Sequence, residues 1–320
     1  MTEKWIHSMH GVPWTKTKMK KAVEILRPNA SVTFAFGAEK LSVLEELNEI
    51  VFSIRPDLTF HVWSVANNEI LTDEELTLLT KMQNVKNLHL NGFNNTSLQI
   101  ISEMIQLTSL ILGAKKMLDI SFIEKLNNLI DINLTGSFVE LKPLSSCTEL
   151  KTIYLSTTIN SFDFFKPLNK IEKLYIDSCI ATNDFSPFNK STLTDLSITS
   201  IKMLENVDTL ANFENLNYLR LDASRVEMLP NLSKLRNLKK LELGYMKAWK
   251  NPEILKTLPM LEELELKEIN TKLKPEQFYF LTEMNTLEKL DFRFMDFNKK
   301  RIEKLTQIFK EQKKDSILKK

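Results

Sequence analysis

The fold class that the sequence predicts is an α/β solenoid, in which short stacked repeats line one parallel β-sheet. Three observations predict it. A six-residue apolar pattern recurs at near-constant spacing, a second apolar pair precedes most copies of it, and the composition suits a long continuous core. Of 320 residues, 43% are hydrophobic and 26% charged, with only six Gly and ten Pro. Those values exclude a disordered chain and argue against a Gly-rich sandwich or a phosphate-binding α/β enzyme. Twelve Met and 19 Phe supply filler for irregular core gaps.

The pattern L-x-x-L-x-L, with Ile, Val or Phe admitted, begins at Val85 (VKNLHL), Leu107, Leu129, Leu150, Ile171, Leu193, Leu216, Leu238, Leu261 and Leu287. Successive starts lie 22, 22, 21, 21, 22, 23, 22, 23 and 26 residues apart. Leu88 and Leu90 alternate with His89 and Asn91, the period of a strand, so each copy predicts one short strand. The pairs Ile123/Leu126, Phe165/Leu168, Leu210/Phe213, Leu232/Leu235 and Leu255/Leu258 share one face of a helical turn. About 22 residues per repeat leave room only for 3₁₀ turns or one to two α-turns there. The segment PEQFYFLTEM, which opens on Pro275 inside the longest interval, predicts a true helix with proline at its first position.

On these residues the chain resembles the leucine-rich-repeat superfamily, especially its 22-residue class, over residues 79–297. The resemblance implies a leucine-rich-repeat horseshoe with a parallel sheet on its concave face. One column departs from the family pattern. Eight residues after the first Leu, where Asn or Cys is usual, stand Phe93, Lys115, Ser137, Thr158, Cys179, Ile201, Ser224, Met246, Ile269 and Met295. A side-chain hydrogen-bond ladder there is expected to give way to apolar packing.

No repeat buries its leucines alone, so the stack needs covered ends. Residues 1–78 predict an N-terminal β-α-β cap, with strands at Ser31–Gly37 and Leu58–Ser64 around a helix from about Leu41 to Ile54. A capping box, Thr72 with Glu75, then opens a helix into the repeats of residues 79–297. Residues 298–320 predict a C-terminal helical cap, with Ile302, Leu305, Ile308 and Phe309 on one face and a frayed basic tail, QKKDSILKK.

Charge is uneven. Residues 1–28 carry six Lys/Arg against two acids and residues 299–320 nine against three, so the middle, with 28 basic and 36 acidic residues, is net −8. That disfavours a nucleic-acid partner, whose phosphates call for basic residues on the working surface. The N-terminal residues lack a secretory pattern, and no 18-residue apolar run suggests a membrane span. With only Cys147 and Cys179, a disulfide framework is not expected, and a reducing, cytoplasmic location is.

Alternation also names the outward face of the sheet. The central column reads His89, Ile111, Asn133, Tyr154, Tyr175, Ser197, Arg220, Glu242, Glu265 and Asp291, and Asp177, Asp222 and Arg293 lie two positions later. Tyr218 precedes Arg220 by two. Tyr and Arg are enriched at interface hot spots, so Tyr154, Tyr175, Tyr218 and Arg220 are the expected anchors. Asp177, Asp222, Glu242, Glu265, Asp291 and Arg293 form a charged rim expected to steer a protein partner. Ten strands at about 4.8 Å spacing span an arc of about 45 to 50 Å, enough for a protein interface and unlike a small-molecule pocket.

Catalysis finds little support. The four histidines are His7, His10, His61 and His89, and no Gly-rich phosphate loop is present. A non-catalytic protein-binding module without cofactor or metal is therefore the expectation. Degenerate Phe/Lys/Asn-rich repeats look similar to bacterial single-domain repeat proteins, some of which are immunity proteins against toxins. Two alternatives stay open: an enzyme centred on Trp5, His7, His10 and Trp14, and nucleic-acid or membrane-surface binding through the lysine-rich C-terminal helix.

Overall fold

The computed structural model describes residues 6–65, 70–177, 185–188, 192–201, 204–292 and 299–318. They form two compact units, Met1–Thr157 and Thr158–Lys320. In both, strand order follows chain order and neighbouring strands are parallel.

The first unit opens with β1 (Ile6–His10) and α1 (Lys16–Ile25), two elements that the repeat pattern does not announce. Thr15 caps α1, its Oγ1 accepting from Lys18 N–H at 3.2 Å, and Met19 and Ala22 turn inward. β2 (Leu26–Phe36) starts earlier than expected, running through Pro28, and β3 spans Thr59–Ser64. Between them the expected helix is α2 (Val43–Leu47) continued by a π-type turn over Asn48–Phe52. The capping box of α3 (Asp73–Thr80) forms as predicted: Thr72 N–H donates to Glu75 Oε2 at 2.8 Å, and Glu75 N–H to Thr72 Oγ1 at 3.2 Å. The repeat strands β4 (Asn87–Phe93), β5 (Ser109–Leu118), β6 (Asp131–Phe138) and β7 (Thr152–Ser156) follow.

The second unit holds β8 (Lys173–Asp177), β9 (Asp195–Ile201), β10 (Tyr218–Ala223), β11 (Lys240–Gly244), β12 (Glu263–Lys267) and β13 (Lys289–Asp291). Every strand from β4 to β13 starts two residues after the first position of its predicted repeat. The strand register is thus the repeat register.

The turns opposite the sheet are 3₁₀, as the repeat length requires. Backbone N–H groups of Leu126, Leu168, Phe213, Leu235 and Leu258 donate to the carbonyls of Ile123, Phe165, Leu210, Leu232 and Leu255, each three residues back. Pro275–Glu283 is also 3₁₀ and not the α-helix expected, although proline does start it. Such turns place one apolar residue per three-residue step against the sheet. In the second unit Phe162, Phe165, Phe185, Phe188 and Phe213 collect in this way, with Phe162 and Phe188 centroids 4.7 Å apart. Trp249 is fully buried in the same unit.

The degenerate column behaves in two ways. Phe93, Met246 and Ile269 are buried, as apolar packing requires. Lys115 and Ser137 are exposed, because β5 and β6 run on to Leu118 and Phe138, which pair. Cys179 and Met295 lie outside the described residues. The bonding expected of that column is done by asparagines elsewhere. Asn95 Oδ1 accepts from Leu71 N–H and its Nδ2 donates to Leu71 O, both at 2.9 Å, and Asn251 clasps Leu229 in the same way at 3.0 and 2.9 Å.

At the C-terminus, α4 (Lys299–Glu311) buries Leu305 and Phe309, and also Arg301, which the apolar pattern passes over. In the tail that the sequence predicts to fray, Asp315–Ile317 makes a 3₁₀ turn and Leu318 bridges Leu290 of β13 in parallel.

Candidate functional site

Parallel register sets the outward residues of the second unit in columns. Across β8 to β13 the central column is Tyr175, Ser197, Arg220, Glu242, Glu265 and Asp291. The column before it is Lys173, Asp195, Tyr218, Lys240, Glu263 and Lys289. Asp222, Gly244 and Lys267 align in the column after it.

Tyr218 and Arg220 are held by their neighbours. Lys240 Nζ lies 5.3 Å from the Tyr218 ring centroid and 2.7 Å from Glu242 Oε1. Burial, and then the Glu242 carboxylate that accepts its hydrogen bond, keep the Tyr218 phenol well above the ordinary tyrosine range, so it stays a donor. Arg220 Nη2 sits 3.0 Å from Asp222 Oδ2 and Nη1 3.8 Å from Glu242 Oε2. Asp222 keeps this place because Gly244, one strand on, has no side chain: a Cβ there would collide with the Asp222 carboxylate. Gly113 makes the same room for Asn91 in the first unit. Tyr175 is also raised, by burial and by Asp195.

The charged rim takes a form that the sequence did not announce. Side chains of Asp222, Glu242 and Glu265 are only 8%, 14% and 17% exposed, against 39%, 42% and 40% for Arg220, Lys240 and Lys267. Short carboxylates sit near the sheet while long Lys and Arg stems arch above them. Asp291 is buried as well. Asp177 accepts from Thr199 Oγ1 at 2.9 Å and Ser200 Oγ at 2.7 Å. What faces outward is thus tyrosine and cation over a carboxylate layer. Arg293 lies outside the described residues.

Tyr154 belongs to the first unit, on β7, in register with Asn133, Ile111 and His89. The row continues through His61, Thr33 and His10. The His61 and His89 rings stack, with centroids 4.1 Å apart and planes 12° off parallel. The repeat columns contain His89 but not its stacking partner, because His61 precedes the first repeat. Burial, and then His61, push His89 down to about 4; burial and His10 lower His61. A histidine with a folded-state pKa below its unfolded value contributes stability that is complete above about 6.5 and is lost as pH falls toward the folded value. Between pH 7 and pH 5 the first unit is expected to lose on the order of 1 kcal/mol, after discounting for the half-exposed ring. Urea midpoints read at both pH values should show that loss in the native chain and less than half of it in His89→Asn. An equal loss in the variant would show that the stack is not its source.

The remaining chemistry-bearing groups have structural places. Trp14 is buried, its Nε1 donating to Thr33 O at 2.9 Å, and Glu39 accepts from the N–H groups of Val12 and Trp14 at 2.6 and 3.0 Å. His7 and His10, three apart on β1, are both exposed, and a strand turns such a pair to opposite faces. Trp5 lies outside the described residues. Burial, with Glu124, pushes the Cys147 thiol up to about 12, and its Sγ lies 3.5 Å from Ile123 O. Among the described residues no group of three or more His, Cys, Asp or Glu is disposed to hold a metal ion, and no helix is long and apolar enough to cross a membrane.

No protein-family model matches the sequence, and no curated protein matches it. Among solved structures, an internalin of Listeria monocytogenes strain 4b F2365 is similar over 76% of this chain and 89% of its own, at 18% identity and a TM-score of 0.47. A leucine-rich-repeat protein of Leptospira interrogans is similar over 100% of this chain and 94% of its own, at 14% identity and 0.42. A plant peptide hormone receptor, solved in complex with RGF2, is similar over 87% and 54%, at 16% and 0.46. The fold itself, a leucine-rich-repeat solenoid, is established by the repeat register and parallel strand pairing of this chain.

Proposed function

We propose that the chain is a non-catalytic, cytoplasmic protein-binding module that uses the outward face of its repeat sheet. The observation that carries this reading is the pre-ordering of Tyr218 and Arg220. Both side chains are fixed by ion pairs, a cation–π contact and a hydrogen bond, so binding a partner costs them little further rotamer freedom. A ring and a guanidinium held this way can bury area and donate hydrogen bonds at once. Tyr175 and Asp177 extend the surface in the second unit, and Tyr154 offers an anchor in the first. In its narrower form the reading is an immunity-type role, the neutralisation of one specific protein, for which the support is analogy between folds.

The test is quantitative. With a partner captured from the native cytosol and then purified, Tyr218→Ala with Arg220→Ala is expected to weaken binding by about 30-fold or more, some 2 kcal/mol or above. Tyr279→Ala, an exposed tyrosine off the sheet, should change it by less than about twofold. Equal affinity of native chain and double variant would overturn the assignment of the face. The narrower role requires the captured protein to be toxic when expressed alone and harmless when expressed with this chain.

A further inference from the structure

We infer that the His61–His89 stack is an acid-driven switch with two positions: neutral, the rings close on each other and keep the outward face of the first unit uncharged; protonated, the His61 ring turns to the Thr33 hydroxyl and the face becomes cationic. The closed position is the one observed, with ring centroids 4.1 Å apart, planes 12° off parallel and both residues half-buried. A proton on each ring would set two charges at that spacing, where partial burial limits screening. The other position has a hydrogen bond waiting. Thr33 lies between His10 and His61 in their row, directly opposite both. It is 4% exposed, and its Oγ1 has no hydrogen-bond partner. A buried hydroxyl left unpaired costs stability, and an imidazolium, a donor at both ring nitrogens, supplies the missing partner. With neighbouring strands about 4.8 Å apart, rotation of the His61 side chain is enough to bring the two together.

Little nearby offsets the charge so gained. Across β2 to β5 the central outward column and the columns on either side of it hold no charged residue. Among the described residues, the other groups on this side of the pair that titrate or carry charge are His10, Glu39, Lys115 and Asp131. His10 is two strands from His61 on β1, and Asp131 two strands from His89 on β6. Glu39, after β2, is held by the N–H groups of Val12 and Trp14, and the Lys115 ammonium lies beside Gly92 near the end of β4. Of these, His10 lowers His61, so protons along the row oppose one another and the stacked rings titrate as a pair in separate steps. His61, beside the Thr33 hydroxyl, is the ring that can use the first proton. Such a face suits an uncharged partner surface at neutral pH and sheds it in acid. That consequence rests on the binding reading above, whereas the switch itself is read without a partner.

NMR of the histidine Cε1–H signals tests this in the full-length chain, with His61→Asn and His89→Asn to assign the two rings and circular dichroism to confirm that the chain stays folded. Between about pH 8 and about pH 4 both rings should protonate below the ordinary histidine value of about 6.5, in steps at least about one unit apart. The ring-current displacement that stacking gives the two signals should disappear with the first step. Thr33→Val keeps the shape and removes the hydroxyl, so it should lower the first midpoint by at least about half a unit, roughly threefold in proton affinity. His61→Asn should raise the His89 midpoint by at least about as much. Signals that keep their displacement through the first step, or a first midpoint in Thr33→Val equal to the native one, would overturn the switch. Tyr218→Ala with Arg220→Ala separates the two readings, since it should weaken partner capture and leave both histidine midpoints where they were.

Discussion

Replacing Arg301 with leucine is expected to destabilise the second unit by about 3–5 kcal/mol, among the largest effects of any single substitution in the chain. Arg301 sits in the first turn of α4, only 6% exposed, among residues that otherwise read as a solvated lysine-rich face. Its Nη1 donates to three carbonyls of one loop: Thr271 O at 2.9 Å, Leu273 O at 3.1 Å and Asn270 O at 3.4 Å. Leucine would match much of the volume yet leave those acceptors facing an apolar group, and unmade hydrogen bonds of buried groups cost more than made ones contribute. Lysine should recover part of the loss, because an ammonium can reach the carbonyls without the planar fork. Circular dichroism through a urea titration reads the loss. A midpoint shift equivalent to less than about 1 kcal/mol for Arg301→Leu would show that α4 is not fastened through this residue.

Trp249→Ala is expected to cost a similar 3–5 kcal/mol in the same unit. The indole is fully buried, and its Nε1 donates at 2.9 Å to Asn251 Oδ1, the oxygen that also receives Leu229 N–H at 3.0 Å. Truncation thus opens a large cavity and loosens the clasp between successive repeats at one stroke. Trp249→Phe keeps most of the volume and loses the donor, so it should cost about 1–2 kcal/mol. Circular dichroism through a urea titration measures both, and equal costs for Ala and Phe would assign the effect to the hydrogen bond rather than to packing.

Arg301 and Trp249 also mark where sequence reading stops. The repeat strands were legible because burial on one sheet face imposes a period of two, and the ten copies of the pattern set the register. Hence the columns of Tyr175, Arg220 and Glu242 follow from the sequence period alone. A column gives the face of a residue but not its reach. It placed Asp222 and Glu265 on the outward face without revealing that Arg220 and Lys267 fold over them. Arg301 was hidden because a helix of Lys and Arg looks solvated until one stem is found pointing inward. β1 and α1 fall outside the repeat period, and Pro28 masked the early start of β2, since proline argues against a strand interior. Pro275 correctly marked a helical start, yet whether the turn tightens to 3₁₀ depends on packing that the local sequence does not encode.

Asp222 and Gly244 stand 22 residues apart in the chain and one strand apart in space, and the carboxylate of the first fills the volume where a side chain of the second would be. Asn91 and Gly113 repeat the arrangement at the same separation. Neither member of such a pair can drift alone. In related chains these positions should co-vary, a long polar residue on one strand accompanied by glycine on the next, and a bulkier second residue by a shortened first. Each pair therefore acts as one inherited character spread over two repeats, and swapping a single repeat between chains would separate its halves.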